Sequence, residues 1–370
     1  MYPSNFKYES RILKETKSLI DSGLVDRIFI AAIWESGLRE HEQLDSKREV
    51  WRVPLKTRHL PNGRFWKVLK IIEWMIKIFI RFRKVPITLV NCHCLAVLPL
   101  GVMFKIFVKS KVIYDAHELE TEKNWPGAIK KMAKVLERIL ICHVDRVIVI
   151  NNSIAQWYKN KYSLEEIYVV KNVPYKQDIN PSNVLRGKFG IQDDEILFIY
   201  QGLLDSRVKF LLDVFSKIDN KKHIVFMGCG ILEDTVKKYE KNFSNIHFQP
   251  AVKPNEVLHY TASADVGINL IENLSLNHYY CLPNKVFEYI LSGLPLIVSD
   301  FPEMGRLIDD CKCGWKVPVN ERLVIELIEN ISKKDVKEKK NNALNYRQNL
   351  GWHKEERKLL QLYKELRSMP

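Results

Sequence analysis

The sequence lacks any uninterrupted apolar run of about 20 residues, the length that a transmembrane helix needs. Its first residues, MYPSNFKYESRILKE, contain no apolar signal-peptide core, so we expect a cytoplasmic protein. No internal repeat or low-complexity tract is present. These absences favour an ordinary globular chain.

The sequence also lacks the paired cysteines of a disulfide framework, because its seven cysteines are an odd number scattered over 370 residues. Two short groups invite a metal interpretation: Cys92, His93 and Cys94 in NCHC, and Cys311 with Cys313 in CKC. Neither has the spacing of common zinc sites. We therefore expect buried, reduced cysteines and no metal.

Acidic residues are outnumbered: 58 Lys and Arg against 44 Asp and Glu give a net charge of +14. Such a balance favours anionic partners, namely nucleic acid, anionic lipid or phosphorylated small molecules. The basic residues are interspersed with acids and form no known nucleic-acid module, so we expect no nucleic acid among the partners.

Apolar strand-like runs alternate with helical patterns along the whole chain, which predicts βαβ units and parallel sheets. The runs lie at 26–33, 87–91, 111–115, 146–151, 167–174, 195–202, 222–230, 245–250, 264–270 and 295–300. The pattern restarts after residues 173–183, so the sequence predicts two α/β domains, 1–174 and 175–348. A final helical segment, 349–370, would pack back on the first domain.

One predicted helix, RFWKVLKIIEWMIKIFIRFRK at 64–84, is apolar and aromatic with basic interruptions. Its predicted basic face consists of Lys67, Lys70, Trp74, Lys77 and Arg81. Such a helix is typical of the surface of an anionic membrane. We therefore expect it to contact a membrane or acceptor, which would attach the protein to the inner face of the membrane. The alternative is a core helix whose basic stripe faces water.

The stretch CLPNKVFEYILSGLPLIVSD, 281–300, places Lys285 and Glu288 at the start of a short helix that leads into a buried strand. Ligands of open α/β folds bind at the carboxyl ends of parallel strands. The apolar neighbours of the pair make an ordinary surface helix a poor alternative. The pair therefore predicts a ligand site.

A second candidate is DAHE, 115–118, at the end of another predicted strand. His117 can donate to a sugar hydroxyl or a pyrophosphate, or accept as a neutral imidazole. The alternatives are a satisfied structural histidine, and helix-capping roles for Asp115 and Glu118.

Five stretches, in family order and over nearly the whole chain, resemble the GT-B glycosyltransferases, in particular the retaining group called family 4. They are ESRILKETKSLIDSG (9–23), VIYDAHE (112–118), VIVINNSIAQWYKNKY with VVKNVP (147–162 and 169–174), IYQGLL (199–204) and PNKVFEYILSGLPLIVSD (283–300). The resemblance implies two Rossmann-like domains that face a cleft, with the C-terminal helix crossing back to the first domain.

The resemblance also implies roles for individual residues. Glu288 would accept hydrogen bonds from the nucleotide ribose, and Lys285 would lie near the donor phosphates. The implied donor-binding set is Gly202, Arg207, Gly228, Gly230, Pro283, Asn284, Lys285 and Glu288, and the implied catalytic set is His117, Glu118, Arg207 and Lys285. Arg207 suits diphosphate oxygens, and the glycines would let backbone N–H groups approach the nucleotide.

The chain departs from the family at several positions. Tyr280 stands where many members have an acid that contacts the donor sugar, which leaves His278 and Tyr279 or backbone amides as alternatives. Gly202 stands where many have an arginine. Residues 1–8 are too short and polar for a complete first strand.

The expected function is retaining transfer of a sugar from a UDP- or GDP-sugar to a hydroxyl of a saccharide acceptor, a hexosyltransferase-type activity. The basic helix suggests an acceptor that is lipid-linked, in surface-polysaccharide biosynthesis. We expect no cofactor and no metal, since no Asp-x-Asp motif is evident. Two alternatives remain: a nucleotide-sugar epimerase of the same architecture, and a non-enzymatic protein that binds membranes or nucleic acid.

Overall fold

A computed structural model describes residues 1–7, 9–61, 63–177, 179 and 182–368, with the backbone alone described at residue 64. The chain divides into two compact units: Met1–Asn172 with Lys354–Pro370 form unit 1, and Val173–His353 form unit 2. Residues 369–370, the end of the predicted segment 349–370, lie outside the described residues. No helix in the described part of the chain is long and apolar enough to cross a bilayer.

Unit 1 alternates strands and helices as the sequence predicts. Its elements are α1 (Ser10–Asp21), β1 (Ile28–Ile33), β2 (His41–Gln43), β3 (Arg48–Val53), α2 (Arg64–Phe82), β4 (Leu89–Cys92), α3 (Leu98–Val108), β5 (Lys111–Ala116), α4 (Gly127–Leu140), β6 (Arg146–Val149), α5 (Asn152–Tyr162) and β7 (Ile167–Val169).

The strands of unit 1 form two sheets, with the orders β1-β3-β2 and β4-β5-β6-β7. Every pairing is parallel except that of β2 with β3. The first residues bridge the two sheets, since Tyr2 donates to Ala31 of β1 while His93, next to β4, donates to the carbonyl of Met1. This short bridge lies in the region that is too short and polar in sequence for a complete first strand. Strands β1 and β4 also line a mainly apolar cavity of about 810 Å³.

Unit 2 contains one larger sheet. Its elements are α6 (Val184–Phe189), β8 (Ile196–Leu203), α7 (Ser206–Phe215), β9 (Lys222–Cys229), α8 (Glu233–Asn242), β10 (Ile246–Pro250), α9 (Val257–Thr261), β11 (Val266–Asn269), α10 (Leu276–Tyr279), α11 (Asn284–Leu291), β12 (Leu296–Ser299), α12 (Pro302–Cys311), β13 (Gly314–Val317), α13 (Glu321–Asn330) and α14 (Lys333–Tyr346).

The sheet of unit 2 is parallel throughout, with the order β10-β9-β8-β11-β12-β13. Its strands are buried on both faces, which explains why they appear in the sequence as continuous apolar runs. Alternate residues of β8 enter separate cores: Leu197 and Ile199 belong to one, and Phe198 and Tyr200 to the other. The carboxyl ends of all six strands therefore meet at one edge.

The last helix, α15 (Trp352–Ser368), enters unit 1 from Lys354 onward. Within that unit, Lys111 donates to the carbonyl of Leu366, and the N–H of Lys171 donates to Glu355. The helix is thus held by polar contacts to β5 and to the segment that follows β7, and it buries Leu359, Leu362 and Leu366.

One cysteine expectation is wrong. Cys311 and Cys313 are paired as a disulfide at the end of α12, because the turn between the helix and β13 brings their side chains together. Cys92 and Cys94 are free and buried, as the sequence predicts.

Candidate functional site

The carboxyl edge of the unit 2 sheet carries the first group of candidate residues. Helix α11 begins after Pro283, which occupies its N-cap, and buries Val286, Phe287, Ile290 and Leu291. Because residues three apart lie on one side of a helix, Lys285 and Glu288 share the polar side of α11. The sequence pattern therefore sets the orientation of this pair through the apolar residues opposite it.

Glu288 is held by a residue that the sequence analysis missed. The side-chain amide of Gln201, in β8, donates to Glu288 Oε2 at 2.5 Å, and its oxygen accepts from Thr261 at 2.6 Å. The Gln201 side chain is buried. Because both ends of its amide are engaged, Gln201 fixes the position of the glutamate. Its only signal was its place before Gly202 at a strand end.

Lys285 and Arg207 form a pair of neighbouring cations. Burial, and next the positive charge of Arg207, lower the pKa of Lys285 to about 8. The ammonium group lies 4.2 Å from the centre of the Tyr200 ring, while Arg207 pairs with Asp205, the N-cap of α7, at 2.7 Å. The two cations repel each other, and an anion that bound between them would relieve this repulsion, which is the electrostatic condition of an anion site.

Gly202 explains how Lys285 is accommodated. The glycine has φ +123°, and a Cβ built there would lie 3.2 Å from Lys285 Nζ. The departure from the family pattern at this position therefore creates the space that the lysine occupies. The structure brings together Gly202, Arg207, Lys285 and Glu288.

The other two glycines are required by strand packing. A Cβ at Gly228 would lie 1.8 Å from the carbonyl oxygen of Gly202, and one at Gly230 would lie 2.4 Å from that of Leu204. The ladder between β8 and β9 runs through Gly202 and Gly228. This packing accounts for both glycines, and the predicted approach of their N–H groups to a nucleotide remains a prediction.

The remaining donor-side residues surround α10 and the start of α11. Asn284 is exposed at the first position of α11. His278 lies 3.2 Å from the carbonyl of Glu272, and the Tyr279 ring packs against Phe301. Tyr280 follows the short helix α10 as its C-cap. None of these positions supplies the acid that the family pattern has at Tyr280.

Unit 1 carries a second polar cluster, at the carboxyl ends of β4 and β5. Asp115 is fully buried and accepts two hydrogen bonds from Arg11, at 3.0 and 2.9 Å. Its Oδ2 also lies 3.1 Å from His93 Nδ1 and 3.2 Å from His117 Nε2. His117 is the most exposed of these side chains, at 26%.

Burial and charge set the protonation of this cluster. Burial alone would raise the pKa of Asp115, but Arg11 and His117 outweigh it and hold the pKa well below its usual range. Burial lowers the pKa of His93 to about 3. Burial also raises the pKa of Glu15, beside Arg11, well above its usual range. At neutral pH, Asp115 is therefore charged and His93 is neutral.

His93, Asp115 and His117 are also spaced so that one metal ion could contact all three. Two histidines and one carboxylate form a known metal-ligand set. However, Arg11 already donates to both oxygens of Asp115, so a divalent cation would face a buried positive charge. Asp115 and the two histidines are already engaged with one another and with Arg11, and the prediction that the protein needs no metal remains a prediction.

Glu118 does not join the cluster. Its side chain is half exposed and pairs with Lys123 at 2.5 Å. Three residues of the cluster, Arg11, Glu15 and His93, were not proposed as site residues. Arg11 and Glu15 lie in a stretch, 9–23, that was considered only for its resemblance to the family, and His93 appeared only as part of NCHC.

The structure contradicts the predicted orientation of α2. The expected membrane or acceptor face consisted of Lys67, Lys70, Trp74, Lys77 and Arg81. Trp74 is fully buried, and its indole N–H donates to a carbonyl of β1. Lys70 and Lys77 donate to backbone carbonyls of residues 54–60, and Arg81 stacks 3.6 Å from the centre of the Trp51 ring. Most of this face packs on the protein itself, because aromatic and carbonyl groups there accommodate the side chains of Lys70, Lys77 and Arg81.

Solved structures define the class of fold. The chain is similar to the sucrose-phosphate synthase of Thermosynechococcus elongatus, with a TM-score of 0.78, 15% identity and coverage of 96% of this chain and 92% of that one. It is similar to HepE from Anabaena, solved with UDP and glucose, with a TM-score of 0.71, 13% identity and coverage of 100% and 98%. WaaG, a glycosyltransferase involved in lipopolysaccharide biosynthesis, matches with a TM-score of 0.63, 15% identity and coverage of 98% and 97%. The fold is that of the GT-B glycosyltransferases, as predicted.

A family model gives the narrower assignment. Residues 195–333, most of unit 2, match the family described as glycosyl transferases group 1. Unit 2 therefore carries a glycosyltransferase domain, and the predicted class of enzyme is confirmed. No curated protein matches the sequence.

Proposed function

We propose that this protein is a retaining glycosyltransferase that moves a sugar from a nucleoside-diphosphate sugar, a UDP- or GDP-sugar, to a hydroxyl of a saccharide. The observation that carries the proposal is the group at the carboxyl edge of unit 2. A carboxylate fixed by Gln201 lies one helical turn from a buried lysine, which in turn lies near Arg207.

The two ends of this group suit the two ends of a nucleoside diphosphate. Glu288 can accept hydrogen bonds from both ribose hydroxyls. Lys285 and Arg207 can neutralise the diphosphate, and their mutual repulsion would be relieved when it binds. HepE has been solved with UDP and with UDP-glucose, which supports UDP as the first nucleotide to test.

The same cations can assist the reaction. As the bond between sugar and phosphate breaks, negative charge grows on the leaving diphosphate, and preorganised positive groups stabilise it. Retention is proposed to proceed by attack from the face of the leaving group, through an oxocarbenium-like transition state, with the acceptor proton passing to the donor phosphate. Lys285 and Arg207 supply the charge that a divalent cation would otherwise supply, so we propose that transfer is metal-independent.

We further propose that unit 1 binds the acceptor. His117 is held by the buried Asp115 and is partly exposed, so it can hydrogen-bond to a sugar hydroxyl. The proposed acceptor is a lipid-linked saccharide used in surface-polysaccharide assembly at the cytoplasmic side of a membrane. The similarity to WaaG supports this role. The domain match in unit 2 favours transfer over epimerisation.

Calorimetric titration with UDP, GDP, ADP and dTDP, in buffer containing EDTA, tests the donor site. We expect one nucleotide to bind selectively and Glu288→Ala to weaken it at least tenfold. Glu338→Ala, an exposed glutamate on α14, is the matched control and should bind as the wild type does. Release of the nucleotide from its sugar donors then identifies the sugar. Failure of all four nucleotides to bind the folded wild type would refute the proposal.

A further inference from the structure

Unit 1 exposes large apolar side chains on three neighbouring helices, and we name this surface the apolar face. Helix α2 contributes Phe65, Val68, Ile72, Ile76 and Ile80. Helix α3 contributes Ile106 and Phe107, and α4 contributes Met132, Val135, Leu136 and Ile139. The exposed fractions reach 67% for Phe65 and 68% for Phe107.

These side chains form a continuous surface. The spacing of the residues on α2 and on α4 places each set on one side of its helix. Helix α2 packs against α3, and α3 packs against α4. Phe79 of α2 contacts the ring of Phe107 at 5.7 Å between centroids. A contiguous exposed apolar surface on this scale usually marks an interaction site.

Positive charge surrounds the apolar face. Arg83, Lys84 and Lys109 are exposed at the ends of α2 and α3. Other cations of these helices are already engaged, since Lys70, Lys77 and Arg81 pack on the protein and Lys105, Lys130 and Lys134 pair with acids. Residues 64–84, 98–109 and 127–140 contain only two acids, Glu73 and Glu137. Both acids point inward: Glu73 accepts hydrogen bonds from Lys56 and Thr57, and the buried Glu137 accepts from three tyrosines. Lys131 and Arg138, in contrast, are exposed on α4. The surface is therefore apolar in its centre and cationic around it.

We propose that the apolar face lies in the plane of an anionic lipid bilayer. Its apolar side chains would enter the boundary between head groups and acyl chains, while the surrounding lysines and arginines would contact the lipid head groups. A second copy of the chain is a poorer partner, because two such faces would oppose their cationic rims. On α2, the apolar face lies on the side of the helix opposite to the basic face that the sequence analysis predicted to contact the membrane.

The proposed membrane binding depends only on the apolar face and the charges around it, and not on any catalytic activity. Its consequence for the reaction, that the acceptor is presented at a membrane, rests on the proposed glycosyltransferase function. Vesicle binding needs no sugar donor, and nucleotide binding needs no lipid. Failure of one proposal can therefore be distinguished from failure of the other.

Vesicle flotation of the full chain tests the inference. The vesicles contain phosphatidylcholine alone or phosphatidylcholine with phosphatidylglycerol. We expect binding to the anionic vesicles only, with weaker binding as salt rises, since salt screens the head-group contacts. The double variant Ile76→Glu, Phe107→Glu should bind at least tenfold more weakly.

The control is Ile231→Glu in unit 2, where an isoleucine that is 88% accessible, more exposed than Ile76 at 50%, lies outside the apolar face. It should float as the wild type does. Unchanged thermal midpoints and nucleotide affinities show that the variants are folded. Absence of wild-type binding to anionic vesicles, or equal binding by the double variant, would overturn the proposal. So would a stable dimer in solution that the double variant dissociates.

Discussion

The pH dependence of nucleotide binding provides a quantitative test of the cation pair. Burial and Arg207 lower the pKa of Lys285 to about 8, so raising the pH removes its charge within an accessible range. If only the charged form binds diphosphate tightly, the apparent dissociation constant rises as the charged fraction falls. Between pH 7 and pH 9 that fraction falls about tenfold, so the affinity should fall about tenfold.

The sign of the effect follows from the direction of the pKa change. A bound diphosphate stabilises the ammonium form and raises its pKa, so binding above pH 8 should take up about one proton. Calorimetry in two buffers of different ionisation enthalpy measures that proton directly. Binding at pH 9 that takes up no proton would contradict this linkage.

Two variants isolate the lysine. Lys285→Arg keeps its charge over the whole range, because a guanidinium does not deprotonate there, so its profile should be flat. Cys281→Ser removes a thiol that interacts electrostatically with Arg207 and should leave the slope unchanged. A wild-type affinity equal at pH 7 and pH 9 would refute the reasoning. If the affinity of Lys285→Arg fell with pH as steeply as that of the wild type, the titrating group would belong to the nucleotide and not to the lysine.

Three further changes probe the fold and the site. Lys285→Met should raise the thermal midpoint while nucleotide affinity falls, because a pKa lowered from 10.5 to about 8 corresponds to roughly 3 kcal/mol of strain from the buried charge; a lower midpoint would contradict this. Asp115→Asn should lower the free energy of unfolding, measured in urea, by about 3–5 kcal/mol, because it removes the carboxylate that pairs with the buried guanidinium of Arg11. A decrease of less than about 1 kcal/mol would show that the pair is dispensable. Gly228→Ala should abolish soluble expression, since its Cβ would lie 1.8 Å from a carbonyl oxygen of β8; Gly187→Ala, which meets nothing within 4 Å, should express normally.

The sequence predicted the alternation of elements well because buried parallel strands appear as apolar runs. It missed β3, whose residues include Arg48, Glu49 and Arg52. All three charged side chains are buried, and Arg48 and Arg52 hydrogen-bond to Asp45 and Glu42. A strand that buries charged side chains beside their partners lacks the apolar run by which the other buried strands were recognised.

The donor-side group was predictable from residues close in sequence, since Lys285 and Glu288 lie on one short helix. Gln201 was not predicted, because its partners Glu288 and Thr261 lie more than 50 residues away. The predicted orientation of helix α2 was wrong for a different reason. It is apolar on both sides, and only its packing shows that Trp74 faces inward while Ile76 faces out.

The two polar groups differ in their balance of charge, and this difference bears on what each can bind. In unit 1 the cation of Arg11 is matched by Asp115, and the pKa of His93 is lowered to about 3, so that this histidine is neutral. In unit 2 Asp205 and Glu288 lie near Lys285 and Arg207, but burial and the neighbouring cation still lower the pKa of Lys285 to about 8. A neutral hydroxyl ligand suits the first group, because it neither adds nor removes charge. The second group gains most from an anion whose charge is concentrated on phosphate oxygens, since such a ligand would stabilise the charged form of the lysine and raise its pKa. The chemistry of the chain thus supports an acceptor hydroxyl in unit 1 and a diphosphate in unit 2.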